Sequence, residues 1–188
     1  MANEQKPRIF QDGRDMTISM AVIVLIMIAV VLPTGLCSYN PGTADGGAVT
    51  EVDEQAFLGM EANNSAFPLV VPAEPEGWTA NSARRSAVGD AQAPVVGYVT
   101  GDEGFLQLTQ TDVPLDDAVR DVDADPREQV RTEDVERTEV RVFHSDEGDV
   151  RDIWAFTRDG VTYLISGSAS DDEFRELVSA TLRGAPAA

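Results

Sequence analysis

Between Met16 and Ala44 the chain carries no charged residue, and Met20 to Leu32 is apolar without a break. Read as a helix rising about 1.5 Å per residue, Met16 to Leu36 covers roughly 31 Å, the thickness of a bilayer's hydrocarbon core. The pattern predicts one transmembrane helix over residues 16–37. Pro33 and Gly35 fall near its outer end, where a break costs least, and Tyr39 stands where an interfacial aromatic would sit. Pro41, Gly42, Gly46 and Gly47 then mark residues 38–48 as a linker.

Beyond the linker the apolar period alternates between that of a helix and that of a strand. Val49, Val52, Ala56, Phe57 and Met60 recur on one helical face, with Asp53 and Glu54 near its start. Pro68, Pro72 and Pro75 force an extended passage up to Gly77-Trp78. Strands are predicted near Trp78–Val88, at Val95–Thr100 and at Phe105–Thr111, the last two turned by Gly101-Asp102-Glu103-Gly104. Asp112 is placed to cap a second helix, in which Leu115, Ala118, Val119 and Val122 follow the i, i+3, i+4, i+7 rule. A charged stretch separates this helix from three strands, Thr138–His144, Val150–Thr157 and Val161–Ser168, turned at Asp146-Glu147-Gly148 and Arg158-Asp159-Gly160. Val140 and Val142 alternate with Glu139 and Arg141, which predicts a sheet with one buried face and one wet face. Ser170-Asp171-Asp172-Glu173 is a capping box, with Ala169 and Phe174 in staple positions. Phe174, Leu177, Val178 and Leu182 form the stripe of that last helix, which Gly184 and Pro186 end. This order defines an α+β fold: an antiparallel sheet packed with helices over residues 49–184, followed by a disordered end at 185–188.

Charge then decides orientation and excludes one class of partner. The chain has 33 Asp+Glu against 14 Lys+Arg, a formal net charge of −19. Nucleic acid is excluded as a partner, because its phosphates are bound by neutralising them with Lys and Arg. Lys6, Arg8 and Arg14 precede the apolar segment, and no basic residue follows it until Arg84. The positive-inside rule therefore makes residues 1–15 a cytoplasmic tail and places the acidic domain outside the cell membrane. A cleavable signal would need a shorter apolar core followed closely by small residues, but Leu36 and Cys37 follow this one. A lipoprotein would need a small residue before Cys37, where Leu36 stands. An uncleaved anchor in the lipid bilayer is the expectation.

Candidate chemistry is sparse. One cysteine, Cys37, excludes an internal disulfide framework and a cysteine-built zinc site, though at the membrane edge it is placed to pair with a second copy of the chain. Asp121-Val122-Asp123-Ala124-Asp125 has the alternating carboxylates of a calcium loop, but Pro126 stands where glycine is needed and Thr132 where a bidentate Glu is needed. The single histidine, His144, lies beside Ser145 and Asp146 at a strand end, and sequence neighbours on a strand point to opposite faces. No Gly-x-Ser-x-Gly elbow is present. Trp78, Trp154, Phe156 and Tyr163 read as core. No catalytic residue, metal ligand or cofactor site is expected. Arg84 and Arg85, the adjacent basic pair of the acidic domain, are candidate partner contacts, as are Arg8, Asp12 and Arg14 of the patterned tail.

The tail Lys6-Pro7-Arg8-Ile9-Phe10-Gln11-Asp12-Gly13-Arg14-Asp15-Met16, the anchor, the exit Ser38-Tyr39-Asn40-Pro41-Gly42, and Gly77-Trp78 followed by Asn81-Ser82-Ala83-Arg84-Arg85 resemble a family of actinobacterial single-pass membrane proteins. That family is the domain of unknown function forty-two forty-five. The resemblance covers most of the chain and implies location, architecture and bacterial group; it brings no catalytic residues. Pro75-Glu76-Gly77-Trp78 before a strand pair, and Tyr163-Leu164-Ile165-Ser166-Gly167 before a terminal helix, are similar to the PsbP/Mog1-like sandwich of some envelope proteins, a likeness at fold level only. The expected function is a non-enzymatic interaction module, an accessory or assembly subunit of a membrane-protein complex. The alternative is a binding domain for a lipid, a glycan fragment or a cation.

Overall fold

The computed structural model describes residues 16–27, 50–123 and 125–187, and the chain divides into two units, Met1–Gly47 and Ala48–Ala188. In the first unit residues 16–27 are helical (α1), and their large apolar side chains are exposed. No helix among the described residues is long and apolar enough to cross a membrane. The remainder of the anchor expected over 16–37, the linker, Cys37 and the tail residues Arg8, Asp12 and Arg14 lie outside the described residues.

The second unit is an α+β domain built on a seven-stranded, wholly antiparallel sheet of order β2-β3-β4-β8-β7-β6-β5. Its strands are β2 (Thr79–Val88), β3 (Ala91–Val99), β4 (Phe105–Thr111), β5 (Glu128–Val135), β6 (Thr138–His144), β7 (Ile153–Arg158) and β8 (Val161–Ser168). Two meanders, β2-β3-β4 and β5-β6-β7-β8, join where β4 pairs with β8. Helix α3 (Leu115–Asp121) lies in the connection that carries the chain from the centre of the sheet to its far edge.

Three layers result. On one face α2 (Glu54–Ala62) and α4 (Asp171–Leu182) cover Val96, Tyr98, Leu106, Leu108, Trp154, Phe156 and Ile165, to which they add Leu58, Phe174, Leu177 and Val178. On the other, α3 brings Ala118 and Val119 against Val88, Ala93, Phe143, Ile153, Ala155 and Leu164. The face expected to be wet is thus partly dry, because β6 and β7 read Val-Arg-Val-Phe and Ile-Trp-Ala-Phe, with apolar residues on both sides where the short helix lies. The four aromatics expected in the core are buried: Trp154 stacks on Phe174 with ring centroids 5.2 Å apart, and Phe156 on Tyr163 at 4.9 Å.

Local signals explain most of the elements. The Ser170 side chain accepts a hydrogen bond from the Glu173 amide, and the Glu173 carboxylate accepts one from the Ser170 amide, so the capping box forms as expected. Asp159 and Gly160 both take positive φ, the backbone of a type I′ hairpin, between β7 and β8. Asp53 caps α2 by accepting from the Ala56 amide. Within α2, Leu58 and Gly59 are buried while Met60, expected on the apolar face, is exposed.

Four further readings are corrected. Asp112 is not the cap of α3: Pro114 occupies that position without a side-chain cap bond, and the Thr111 hydroxyl takes the Val113 amide instead. The charged stretch before Thr138 is strand β5, which the sequence hides because Glu136 and Arg137 make its hairpin with positive φ and without glycine or asparagine. Strand β7 starts at Ile153 rather than Val150. Residues 185–188, expected to be disordered, include β9 (Ala185–Pro186), which pairs antiparallel with β1 (Val70–Val71). The Ala187 amide also donates to the Leu69 carbonyl at 2.8 Å.

Candidate functional site

The basic pair expected to meet a partner does not act as a pair. Arg84 and Arg85 are successive residues of β2 and therefore point to opposite faces of the sheet. Arg85 is held bidentate by Glu61 of α2, at 2.7 and 2.9 Å. Arg84 lies on the face of α3, where it donates to Gln107 at 3.1 Å, and Gln107 donates in turn to Ser166 at 3.0 Å. Both guanidinium groups are exposed, but each is already engaged within the domain.

His144 bonds through Nδ1 to Asp152 at 2.7 Å. Ser145, its sequence neighbour, accepts from the Glu147 amide, so no triad is assembled from the adjacent residues. The carboxylates that imitate a calcium loop have other partners: Asp121 meets Arg120 at 3.1 Å, and Asp123 takes Arg127 bidentate at 2.7 and 2.8 Å. Arg127 also donates to the carbonyls of Arg151 and Asp125, and its side chain is only 2% exposed. This buried guanidinium fastens the loop after α3 to the loop before β7. Among the described residues no group of three or more His, Cys, Asp or Glu is placed to hold a metal ion.

Arg127 helps shape the wall of an open groove of about 760 Å³ at the far edge of the sheet. Val119 of α3, Val130 of β5 and Phe143 of β6 supply its apolar lining. Val130 is 53% exposed, unusual for a large apolar side chain in this domain. Asp125 and Glu128 stand on one rim, and Asp146 and Glu147 on the loop after β6. None of these four carboxylates has an ion-pair partner among the described residues. The two arginines of the lining are already committed, Arg120 to Asp117 and Asp121, and Arg127 to Asp123. Asp116 is paired with Arg141 at 2.6 Å, a hydrogen bond that holds its carboxyl below the usual range. The groove therefore presents an apolar lining and an uncompensated negative rim.

None of this groove was singled out in the sequence. Val130 sits within Glu128-Gln129-Val130-Arg131, which reads as charged coil, and its exposure arises at a register shift between Gln129 and Arg131 on an edge strand. The signal available was one isolated valine in a polar stretch, which carries no period.

A second feature at the same edge is an ionic cover over the core. Glu133 accepts from Arg175 at 2.7 and 3.1 Å and from Arg131 at 2.9 Å, and both guanidinium groups lie over the Trp154 ring, 5.3 and 5.5 Å from its centroid. The Arg175 hydrogen bond, reinforced by Arg131, keeps the Glu133 carboxyl below the usual glutamate range. This network closes the α4–β5 side of the sandwich rather than opening a site.

No curated protein and no solved structure matches the chain. The model of one family does, described as "Protein of unknown function (DUF4245)", and it covers residues 8–181, from the N-terminal tail into the last turn of α4. The chain belongs to that family.

Proposed function

We propose that the chain is a single-pass membrane protein, with residues 16–37 in the bilayer, residues 1–15 in the cytoplasm and the acidic domain outside the cell. There it serves as an interaction module, an accessory or assembly subunit of an envelope or membrane complex. The anchor is supported by the uncharged run from Met16 to Ala44 and by the exposed apolar side chains of residues 16–27. The likeness to a PsbP/Mog1-like sandwich is supported by an antiparallel sheet covered with helices on both faces.

The observation that carries the interaction reading is the distribution of charge. Eight of the 11 arginines of the domain pair with carboxylates of the same domain, and many of its carboxylates have no cation among the described residues. A basic partner would be attracted and oriented by that surplus. The test is purification of the tagged full-length chain from its own envelope in mild detergent. A partner that co-elutes in comparable amount and dissociates as salt is raised supports the reading. Repeated elution of the chain alone at low salt sinks it.

A further inference from the structure

We infer that the groove between α3 and the first half of β5 receives a basic segment of a partner protein, with an apolar side chain seated on Val130 and Val119 and Lys or Arg side chains meeting Asp125, Glu128, Asp146 and Glu147. This deepens the interaction reading and rests on it. Three observations choose the occupant. Val130 is left more than half exposed on an edge strand whose outer side has no strand partner among the described residues, so apolar area and backbone groups are both available there. The four rim carboxylates have no cation of their own, and the groove's arginines are already bonded to Asp117, Asp121 and Asp123. An occupant without positive charge would take those carboxylates out of water with nothing in return, which is strongly unfavourable.

The shape of the groove is also set independently of any occupant. Arg127, with its side chain almost wholly buried, holds Asp123 and the Arg151 carbonyl, so the wall that presents Asp125 and Glu128 is braced from behind. A preformed groove of this kind loses little ordering entropy when a segment enters.

The test uses the full-length chain in its native membrane, with the photo-reactive residue benzoylphenylalanine replacing Val130 in one variant and Met60, which is exposed on α2, in another. Both positions are exposed, so neither replacement disturbs the core. The expected result is an adduct from position 130 and none from position 60, with the cross-linked partner peptide mapping to a stretch that holds Lys or Arg beside an apolar residue. In the triple variant Glu128→Gln, Asp146→Asn, Glu147→Gln, which removes charge at three exposed positions, the yield of that adduct falls about tenfold or more. No adduct from position 130, equal adducts from both positions, a mapped stretch without basic residues, an adduct to lipid or to a second copy of this chain, or a yield unchanged by the triple variant would each overturn the inference. If a stoichiometric partner still co-elutes in those cases, the groove assignment has failed and the interaction reading stands; if nothing co-elutes, the reading itself has failed.

Discussion

Gln110 pairs with the backbone of Val70 through both ends of its amide: Oε1 accepts from the Val70 N–H at 2.9 Å, and Nε2 donates to the Val70 carbonyl at 2.8 Å. A buried side chain, only 1% exposed, thus does the work of a neighbouring strand and fastens β1 to β4. Through β1 it also fastens residues 185–186, because β9 pairs with β1 and with no other strand among the described residues.

Gln110→Leu fills similar volume but leaves both polar groups of Val70 without partners. The expected cost is about 2–4 kcal/mol, from the roughly 1–3 kcal/mol of each unsatisfied buried group with partial relief by solvent. Thermal unfolding of the full-length chain measures it, and hydrogen exchange should show earlier opening of residues 69–73 and 185–187 than of β4. A loss below about 0.5 kcal/mol would mean the amide is not structural.

Tyr98 donates its phenol proton to Glu54, and the two groups respond to pH in a defined direction. Burial pushes the Glu54 carboxyl above the usual glutamate range, while the hydrogen bond from Tyr98 opposes that rise. A carboxyl raised on folding contributes stability that is complete below about pH 4.3 and is lost as pH rises through its folded value. Tyr98→Phe removes the opposing bond, so the Glu54 midpoint should move further up and the variant should lose more stability at pH 7 than at pH 4. Carboxyl titration by NMR, with unfolding at the two pH values, reads both; a midpoint that stays or falls contradicts the pairing.

Glu133 behaves in the opposite sense. Arg175 and Arg131 hold its carboxyl below the usual range, so the stability it contributes is present above about pH 4.3 and fades as pH falls through its folded value. Glu133→Gln should lower the melting temperature at pH 7 by several degrees and leave a shallower decline on the acid side than the parent shows. A mutant curve parallel to the parent's from pH 7 to pH 3 would show that the network carries no linkage.

Gly167 of β8 has no room for a side chain: a Cβ would lie 2.0 Å from the Phe105 carbonyl oxygen and 2.9 Å from the Leu106 Cα. Gly167→Ala must separate β4 from β8 at the junction of the two meanders, and it should cost about 2 kcal/mol or more. Gly148→Ala, where nothing lies within 4 Å, is the control and should change little. Denaturant unfolding of both variants decides it.

Membrane insertion and orientation make a separate prediction. The chain should stay with membranes through an alkaline carbonate wash, and a protease applied to the outer side should digest the domain while sparing the tail. Reversing the tail charges with Lys6→Glu, Arg8→Glu and Arg14→Glu should invert a measurable fraction of chains. Release by the wash would remove the anchor; protection of the domain from external protease would reverse the topology.

Amino-acid order alone was enough for elements whose signals are local. The α4 capping box, the Asp159-Gly160 hairpin and the ends of β4, β6 and β8 each follow from two to eight neighbouring residues. Family membership was legible for the same reason, in a short ordered tail motif and a Gly-Trp signature. Tertiary structure alone decided the rest. Strand β5 is polar along most of its length because it is an edge, so its identity comes from pairing with β6 rather than from any period of its own. The bonds of Arg84 to Gln107 and of Arg85 to Glu61, the service of Gln110 to Val70 and the acidic groove around Val130 join residues up to some 40 positions apart. Such contacts depend on which strands lie side by side, and strand order is set by the packing of three layers, which no window of sequence contains.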